Sequence, residues 1–265
     1  MGDFEPSELG TKAHWDSHYE RELQNFDEVG DIGDIWFGQQ SEKRVLKYLS
    51  DIGIPPNSRI LDVGSGNGHL TIELGKRGFK HVVGIDYSEN AIALSKKLLT
   101  EETTLANCVD FKCVDILSTD SVTSSLFSGK EEDLFDVVID KGTFDAISLT
   151  RAESPTPADL AASGEEAVGS QRAASKRPRQ LYLAHIYRLM RPSGHFIITS
   201  CNWTADELKG EFEQPLSEDL SSEFAGNAPL HPLFSFCQKL PPLRTFTFGG
   251  MTGADTVCLV FKLAQ

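Results

Sequence analysis

The stretch ILDVGSGNG at residues 60–68, together with GIDYS at 84–88, decides the fold of this chain. An apolar run typical of a buried strand leads into Asp62 and then into glycines at every second position. Glycine permits a tight turn and a close approach of the backbone to a ligand, where a Cβ atom would clash. A second strand pattern ends in Asp86, 22 residues beyond Gly64, from which a carboxylate can bond both hydroxyls of a ribose. The two stretches predict a strand–turn–helix–strand unit that binds an adenine nucleoside.

The spacing of the glycines separates two classes of nucleoside cofactor. Dinucleotide-binding turns use G-x-G-x-x-G and place a helix N-terminus against a pyrophosphate. Gly64, Gly66 and Gly68 follow G-x-G-x-G instead, and Asp62 precedes the first of them by two residues. An anionic side chain at the turn suits a ligand with a sulfonium and an ammonium group better than it suits a phosphate. The pattern therefore favours S-adenosylmethionine, with a nicotinamide-dependent oxidoreductase as the disfavoured alternative.

The composition is that of a soluble globular domain. The chain has 265 residues and a mass of 29.2 kDa, with 40% hydrophobic and 24% charged residues, which allows one sizeable core. No apolar run reaches the ~18 residues that span a bilayer, and the acidic N-terminus lacks the features of a secretory signal. The net charge of −14 disfavours nucleic acid and anionic membranes as partners. It favours a basic partner, although an acidity that only maintains solubility is an equal alternative.

Cysteine and histidine usage points to neither disulfides nor a metal. The five cysteines are scattered without a C-x-x-C pair, so we expect reduced thiols in a cytoplasmic protein. The seven histidines show no metal-ligand spacing, so no metal is predicted. A basic cluster formed by Lys176, Arg177 and Arg179 is interpreted as part of a solvated loop. The alternative is a nuclear-import patch, which would add a nuclear location.

Strand and helix patterns alternate along the chain. Short apolar runs typical of buried strands occur at 58–64, 81–86, 109–114, 134–139 and 195–199. Amphipathic patterns between them predict helices at 69–77, 88–100 and 180–190. The alternation predicts an α/β fold with a doubly wound, mostly parallel sheet. Two further strands, at 244–248 and 256–263, are expected to form an antiparallel C-terminal pair.

Two polar stretches interrupt this alternation. Residues 151–179 contain no aromatic residue and are rich in Ala, Ser, Pro, Gly and Glu. Such a segment cannot bury enough apolar surface to order itself, so we predict a disordered insertion there. The stretch at 213–232 is interpreted as a loop.

Four acids, each at the carboxyl end of a predicted strand, are candidate site residues: Asp62, Asp86, Asp115 and Asp140. In an open α/β sheet the ligand lies outside these strand ends, near the switch in strand order. We therefore expect the four carboxylates to converge on one crevice. The alternative is that each acid only caps the helix that follows it.

Further blocks of sequence carry a resemblance to a known family. The blocks are LGTKAHWDSHYERELQNF at 9–26, GDIGDIWFG at 30–38, IDKGTFDAISL at 139–149, ITSCNWT at 198–204 and FGG at 248–250. With the glycine motif, they make the chain resemble the class I, seven-strand S-adenosylmethionine-dependent methyltransferases with a Rossmann-like fold. More narrowly, the chain resembles the eukaryotic lysine methyltransferases of translation elongation factor 1-alpha. The glycine motif is common to the superfamily, whereas DKGTFDA combined with W-x-x-x-Y and IWFG is far more specific.

The resemblance implies a set of cofactor-binding residues. In chain order these are Trp15, Tyr19, Trp36, Asp62, Gly64, Ser65, Gly66, Gly68, Asp86, Tyr87, Asp115, Ile116 and Asp140. The glycine turn would face the methionine moiety, Asp86 the ribose and Tyr87 the adenine. Residues 1–40, which include Phe37, would cover cofactor and lysine, and residues 41–265 would form the methyltransferase domain.

The implied reaction is methyl transfer to the ε-nitrogen of a lysine in a protein, with elongation factor 1-alpha as the suspected substrate. We expect Asp140, Phe144 and Asn202 to be the catalytic residues of a monomeric enzyme. Asp140 and Asn202 would orient the amine, while Phe144, with Trp36 and Trp203, would line an apolar channel that lowers the pKa of the lysine.

Several of these residues also have ordinary structural interpretations. Trp36, Phe37 and Trp203 are equally typical of core anchors. Asp145 is interpreted as an acid in the first turn of a helix, and Lys141 as the partner of a neighbouring acid. Two other functions stay open: a methyltransferase that acts on a small molecule or a protein N-terminus, and a catalytically silent binding module of the same fold.

Overall fold

One sheet of seven strands organises the structure. The computed structural model describes residues 4–150, 167–217, 220, 232–248 and 251–264. The strands of the sheet are β1 (Arg59–Val63), β2 (His81–Asp86), β3 (Val109–Cys113), β4 (Phe135–Lys141), β5 (Met190–Ser200), β6 (Phe234–Lys239) and β9 (Val257–Leu263). They lie in the order β3-β2-β1-β4-β5-β9-β6, and the first five are parallel. The predicted doubly wound, mostly parallel seven-strand sheet is confirmed.

Helices cover both faces of this sheet, because neighbouring strand residues point to opposite sides. The helices are α1 (Lys12–Val29), α2 (Gly38–Asp51), α3 (His69–Lys76), α4 (Glu89–Glu101), α5 (Thr119–Leu126), α6 (Thr143–Ser148), α7 (Ala167–Leu189) and α8 (Ala205–Phe212). Ile60 belongs to the apolar cluster that α1 to α4 bury, and its neighbour Leu61 to the cluster under α5 to α8. Both residues are fully buried, as the near-continuous apolar pattern of a parallel strand requires.

The C-terminal strand pairing differs from the prediction. β9 pairs antiparallel with β5 on one side and with β6 on the other, so the antiparallel pair at this edge of the sheet is β6 and β9. The segment predicted at 244–248 forms instead β7 (Phe246–Phe248), which pairs with β8 (Met251–Gly253) in a separate two-stranded sheet. The short separation between 248 and 256 suggested the wrong partner. Four successive residues of β9 are buried because alternate side chains enter the apolar clusters on the two faces of the large sheet, which is the pattern of an interior strand.

The disordered insertion predicted at 151–179 is wrong over residues 167–179. Residues 151–166 lie outside the described residues, but α7 begins at Ala167, so 167–179 are helical rather than disordered. Arg179, assigned to a solvated basic loop, is 4% exposed. Its guanidinium lies 5.5 Å from the ring centroid of Trp203 and 3.4 Å from Glu211. This packing removes Arg179 from any surface patch. Residues 221–231, in the other predicted loop, lie outside the described residues.

The N-terminal segment packs against the body of the sheet domain. α1 begins with an N-cap at Thr11, whose hydroxyl accepts a hydrogen bond from the backbone N–H of His14, and it packs along α4. α2 presents an apolar face that includes Val45 and Leu49. Within the described part of the chain, none of the helices combines the length and apolar character that a membrane span requires.

Candidate active site at the strand ends

A cavity of about 260 Å³ opens at the carboxyl ends of the parallel strands, where the strand order reverses between β1 and β4. This is the position at which open α/β sheets bind ligands. The strand ends and the turns after them contribute Val63, Gly64, Ser65, Gly66, Asn67, Ile85, Asp86, Tyr87, Val114, Asp115, Ile116, Leu117, Lys141, Gly142, Thr143, Asp145, Ala146, Ile147, Leu149, Thr150, Cys201 and Asn202. The N-terminal segment contributes Leu9, Gly10, Trp15, Tyr19, Asp34, Trp36 and Phe37. Most of the residues proposed from the sequence therefore meet in one cavity.

The glycine turn after β1 allows a close approach that only glycine permits. Gly64 and Gly66 have φ values of +66° and +57°, in the left-handed region. A Cβ atom on Gly64 would clash with the Oγ1 atom of Thr143, and one on Gly66 with the hydroxyl of Tyr19. Glycine is therefore needed here for backbone conformation and for space.

Asp86, at the end of β2, faces the cavity and holds the glycine turn. Its carboxylate accepts hydrogen bonds from the backbone N–H groups of Gly66 at 3.1 Å and Ser88 at 2.9 Å. Burial raises the pKa of Asp86 to about 6, an effect that the two backbone donors partly offset. The Asp86 carboxylate is thus preorganised at the cavity wall.

The far end of the cavity is formed by the turns after β2 and β3. Tyr87 is half-buried, and Ile116 is 7% exposed. Asp115 is exposed, and its carboxylate accepts from the backbone N–H of Leu117 at 2.9 Å. Tyr87 and Ile116 thus add apolar surface to the cavity, and Asp115 adds a polar group.

Asp62 and Gly68 lie behind the cavity wall, which differs from the expectation of direct ligand contact. Asp62 is 2% exposed, and its carboxylate accepts a hydrogen bond from the Oγ1 atom of Thr71 at 2.6 Å. Burial raises the pKa of Asp62 to about 6, although the Thr71 bond and the charge of Lys141 oppose this shift. Gly68 faces the ring of Phe111 instead of the cavity. Asp62 therefore joins β1 to α3 beneath the glycine turn.

Asp140 and Phe144, two of the residues predicted to be catalytic, are also buried behind the wall. Asp140 is fully buried, and its carboxylate accepts from the backbone N–H groups of Thr143 and Phe144, each at 2.9 Å. It also accepts from the hydroxyl of Tyr182 at 2.5 Å. Burial raises the pKa of Asp140 to about 7. Its carboxylate thus caps the start of α6, as in the capping alternative, and does not face the cavity.

The ring of Phe144 packs into the apolar cluster beneath the cavity. It is fully buried, 5.5 Å from the ring centroid of Trp203 and 5.1 Å from that of Phe212. Trp203 is 5% exposed, so it is a core residue, which was the alternative to its predicted place in the lysine channel. Neither aromatic ring lines the cavity.

The acid that does reach this part of the cavity is Asp145, which the sequence pattern assigned only to the first turn of a helix. It lies in the first turn of α6 and also lines the cavity beside Asn202. Its carboxylate accepts from the hydroxyl of Ser200 at 2.5 Å and from the backbone N–H of Cys201 at 2.8 Å. Burial raises the pKa of Asp145. Its place in the first turn of the helix that follows β4, at the strand ends where such sheets bind ligands, is the signal that could have revealed it.

Aromatic side chains of the N-terminal segment, which the sequence predicted as a cover over the cofactor, line the cavity. The ring centroids of Trp15 and Trp36 are 5.1 Å apart, and Trp15 and Tyr19 stack at 6.1 Å. The Nζ atom of Lys141 donates to the carbonyl oxygen of Trp36 at 3.1 Å and lies 3.7 Å from Glu42, so it pairs with an acid as expected. The cover is therefore anchored to the end of β4.

Two buried polar atoms in the wall are available to a ligand. Within the described residues, Ser65 Oγ and Trp36 Nε1 are inaccessible to solvent and have no hydrogen-bond partner. Both residues line the cavity: Ser65 belongs to the glycine turn, and Trp36 belongs to the aromatic cover. Together with the glycine turn and Asp86, they fit a nucleoside with a polar amino-acid tail, which is the composition of S-adenosylmethionine.

This fold and this site define a Rossmann-like S-adenosylmethionine-dependent methyltransferase. A family model described as a methyltransferase domain matches residues 54–234. The chain is 39% identical over 260 residues to "EEF1A lysine methyltransferase 2" of Danio rerio, covering 98% of this chain and 90% of that protein. It is 33% identical over 278 residues to "Protein-lysine N-methyltransferase efm4" of Schizosaccharomyces pombe, covering 99% and 97%. The chain belongs to the methyltransferase family that these two proteins represent.

Solved structures show the same fold at lower identity. The N-methyltransferase NodS from Bradyrhizobium japonicum, in complex with S-adenosyl-L-homocysteine, has a TM-score of 0.52 and 14% identity. The match covers 95% of this chain and 99% of that chain.

Proposed function

We propose that this protein is a protein-lysine N-methyltransferase that uses S-adenosylmethionine, with translation elongation factor 1-alpha as its substrate. The observation that carries the proposal is the cavity in which the glycine turn and Asp86 face an aromatic cover and Asn202. The substrate is proposed from relatives named for EEF1A lysine methylation that align over nearly the whole chain.

In this proposal the cavity holds the cofactor along the strand ends. The Asp86 carboxylate bonds the ribose hydroxyls, and Tyr87 and Ile116 enclose the adenine, with Asp115 at its edge. The glycine turn and Ser65 hold the methionine moiety. These roles are supported by the presence of each residue in the cavity lining.

The cofactor would supply a methyl group on a sulfonium. The chain's own residues favour the neutral form of the substrate lysine and orient it. For a lysine with a pKa near 10.4, only about one amine in a thousand is neutral at pH 7.4. Deprotonation of the amine at this pH therefore costs roughly 4 kcal/mol. The apolar faces of Trp36 and Phe37 exclude water and so favour the neutral amine. The Asn202 side chain accepts a hydrogen bond from the amine and so orients the lone pair of the lysine nitrogen. This positioning provides most of the acceleration.

Asp140 and Phe144 act indirectly in this scheme. By accepting from the first backbone N–H groups of α6, Asp140 fixes the turn that carries Thr143 and Asp145 into the wall. Phe144 supports the same turn from the core. The negative charge that the amine meets at the wall belongs to Asp145, whose carboxylate stays bonded to Ser200 and Cys201.

The charge of the protein supports the proposed basic partner. A net charge of −14 attracts a basic protein surface over long range and repels nucleic acid. We propose that the enzyme works as a monomer in the cytoplasm, where it meets elongation factor 1-alpha. Size-exclusion chromatography with light scattering measures the monomer directly, and a mass twice the 29.2 kDa of the chain would contradict it.

The direct test incubates the purified protein with methyl-labelled S-adenosylmethionine and unmethylated elongation factor 1-alpha. Mass spectrometry then locates the label. We expect methylated lysine, and Asn202→Ala should lower kcat while leaving the affinity for S-adenosylmethionine near that of the wild type. Methylation confined to the α-amino terminus or to a small molecule would refute the lysine proposal, and cofactor binding without any transfer would indicate a silent module.

A further inference from the structure

Three potential metal ligands meet outside the cofactor cavity. His18 and Glu22 lie one turn apart on α1, and Asp34 approaches them from the segment after the helix. One imidazole nitrogen and one oxygen from each carboxylate all lie within 4.8 Å of one another. An imidazole nitrogen with two carboxylate oxygens is a donor set that divalent transition metals accept.

Two of these donor atoms are buried without a hydrogen bond. Glu22 is 6% exposed, and its Oε1 atom accepts from the backbone N–H of Asp34 at 2.6 Å. Among the described residues, Glu22 Oε2 and His18 Nε2 are inaccessible to solvent and have no hydrogen-bond partner. His18 Nε2 lies 3.1 Å from Glu22 Oε1, but without hydrogen-bond geometry. A buried polar atom without a partner destabilises a fold unless a ligand satisfies it.

We propose that His18, Glu22 and Asp34 bind a divalent transition-metal ion of the zinc or manganese type, with water completing its coordination. The ion would satisfy both orphaned donor atoms at once. Among the described residues that line the adjoining opening, Arg21 is the basic side chain, and its charge opposes a bound cation.

The position of the cluster gives the ion a structural role at the cofactor cover. The ring centroid of His18 lies 5.8 Å from that of Trp15 and 5.9 Å from that of Trp36, and both indoles line the cofactor cavity. Asp34 lines that cavity as well, and its carbonyl oxygen accepts from the Nδ2 atom of Asn67 in the glycine turn. A bound ion would hold the segment at 31–36 against α1 and so order the cover.

This inference does not depend on the identity of the methyl acceptor. Histidine spacing alone predicted no metal, because the cluster uses one histidine, its i+4 neighbour and a residue from another segment. The pairing of a helix with the following segment, which the sequence pattern does not specify, brings the three ligands together.

The experiment titrates the full chain, free of affinity tags and pre-treated with chelator, with MnCl2 and with ZnCl2. Metal binding is measured by calorimetry, and tryptophan fluorescence reports the cover through Trp15 and Trp36. We expect one equivalent of metal and a fluorescence change at the same stoichiometry. His18→Ala and Asp34→Asn should each weaken binding by at least about tenfold, because each removes a ligand.

Controls separate this site from general metal binding. His14→Ala and Glu20→Gln change a histidine and an exposed acid on the same helix, outside the cluster, and should bind metal like the wild type. Glu22→Gln keeps the acceptor for the Asp34 N–H while removing the charge, so it tests the site even if another variant fails to fold. Unchanged binding in His18→Ala and Glu22→Gln, or no saturation up to about 0.1 mM metal, overturns the proposal.

Discussion

The contact between the N-terminal helix and the glycine turn can be tested by replacing Gly66 with alanine. Gly66 has a φ of +57°, and an added Cβ would clash with the hydroxyl oxygen of Tyr19 and lie 3.3 Å from its Cζ atom. Tyr19 is 4% exposed and lies over the cavity, so its ring cannot move away without disturbing the cover. Gly66→Ala therefore meets two separate penalties, one from the backbone and one from the contact.

The size of each penalty follows from the geometry. A left-handed conformation costs alanine about 1–2 kcal/mol. Overpacking against the buried Tyr19 ring adds about 1–3 kcal/mol. Tyr19→Phe removes the clashing oxygen and leaves the Cζ atom at 3.3 Å, so it should recover most of the second penalty in the Gly66→Ala background. We expect a coupling free energy of about 1–3 kcal/mol between the two substitutions.

The assay is urea denaturation of the wild type, both single variants and the double variant, with S-adenosylmethionine affinity measured by calorimetry. Gly53→Ala is the matched control, because Gly53 has a φ of +69° but no atom within 4 Å of an added Cβ. It should show the backbone penalty alone. Equal destabilisation by Gly66→Ala with and without the Tyr19 hydroxyl would refute the proposed contact, and so would a Gly66→Ala variant no less stable than Gly53→Ala.

Three further predictions concern single side chains. Asp86→Asn should raise the Kd for S-adenosylmethionine about 10- to 100-fold, because it removes one charge-assisted acceptor at the ribose; an unchanged Kd in calorimetry would contradict the assignment. Burial raises the pKa of Asp62 from 3.8 to about 6. Protonated Asp62 therefore makes its full contribution to the free energy of unfolding below pH ~4, and this contribution is lost as the pH rises through ~6. Urea denaturation should therefore show that Asp62→Asn gains about 2–3 kcal/mol relative to the wild type between pH 4 and pH 7, and a constant difference would exclude this ionisation. Thr204→Ala, which breaks the capping box at the start of α8, should lower the unfolding free energy by about 1 kcal/mol without altering cofactor affinity; no loss in urea denaturation would show that the box is not stabilising.

The sequence predicted the central unit of the fold well because its signals are local. The apolar run before Gly64, the alternate glycines and the acid at position 86 depend on neighbours along the chain, and the structure has β1, α3 and β2 in the predicted order. The pairing of β9 with β6 depends instead on contacts between distant segments. The short sequence separation favoured a hairpin of 244–248 with 256–263. Because β9 is buried on both faces of the large sheet, it pairs with β5 and β6 instead.

At the site, sequence position predicted which strand ends meet but not which side chains face the cavity. Asp86 and Asp140 both end parallel strands, yet only Asp86 lines the cavity. Asp140 turns into the start of α6 and meets the Tyr182 hydroxyl, from a helix more than forty residues away. Asp145 reaches the wall because α6 is anchored to the end of β5 through Ser200.

The sequence by itself determined the nucleoside-binding turn, the alternation of strands and helices and the aromatic character of the N-terminal segment. Backbone conformation and apolar periodicity are written into consecutive residues, so these features need no knowledge of distant contacts. Only the tertiary structure decided which acids are exposed to the cofactor, where β9 pairs and that His18, Glu22 and Asp34 meet. Side-chain direction and burial arise from the packing of segments far apart in the chain, and no local pattern specifies that packing.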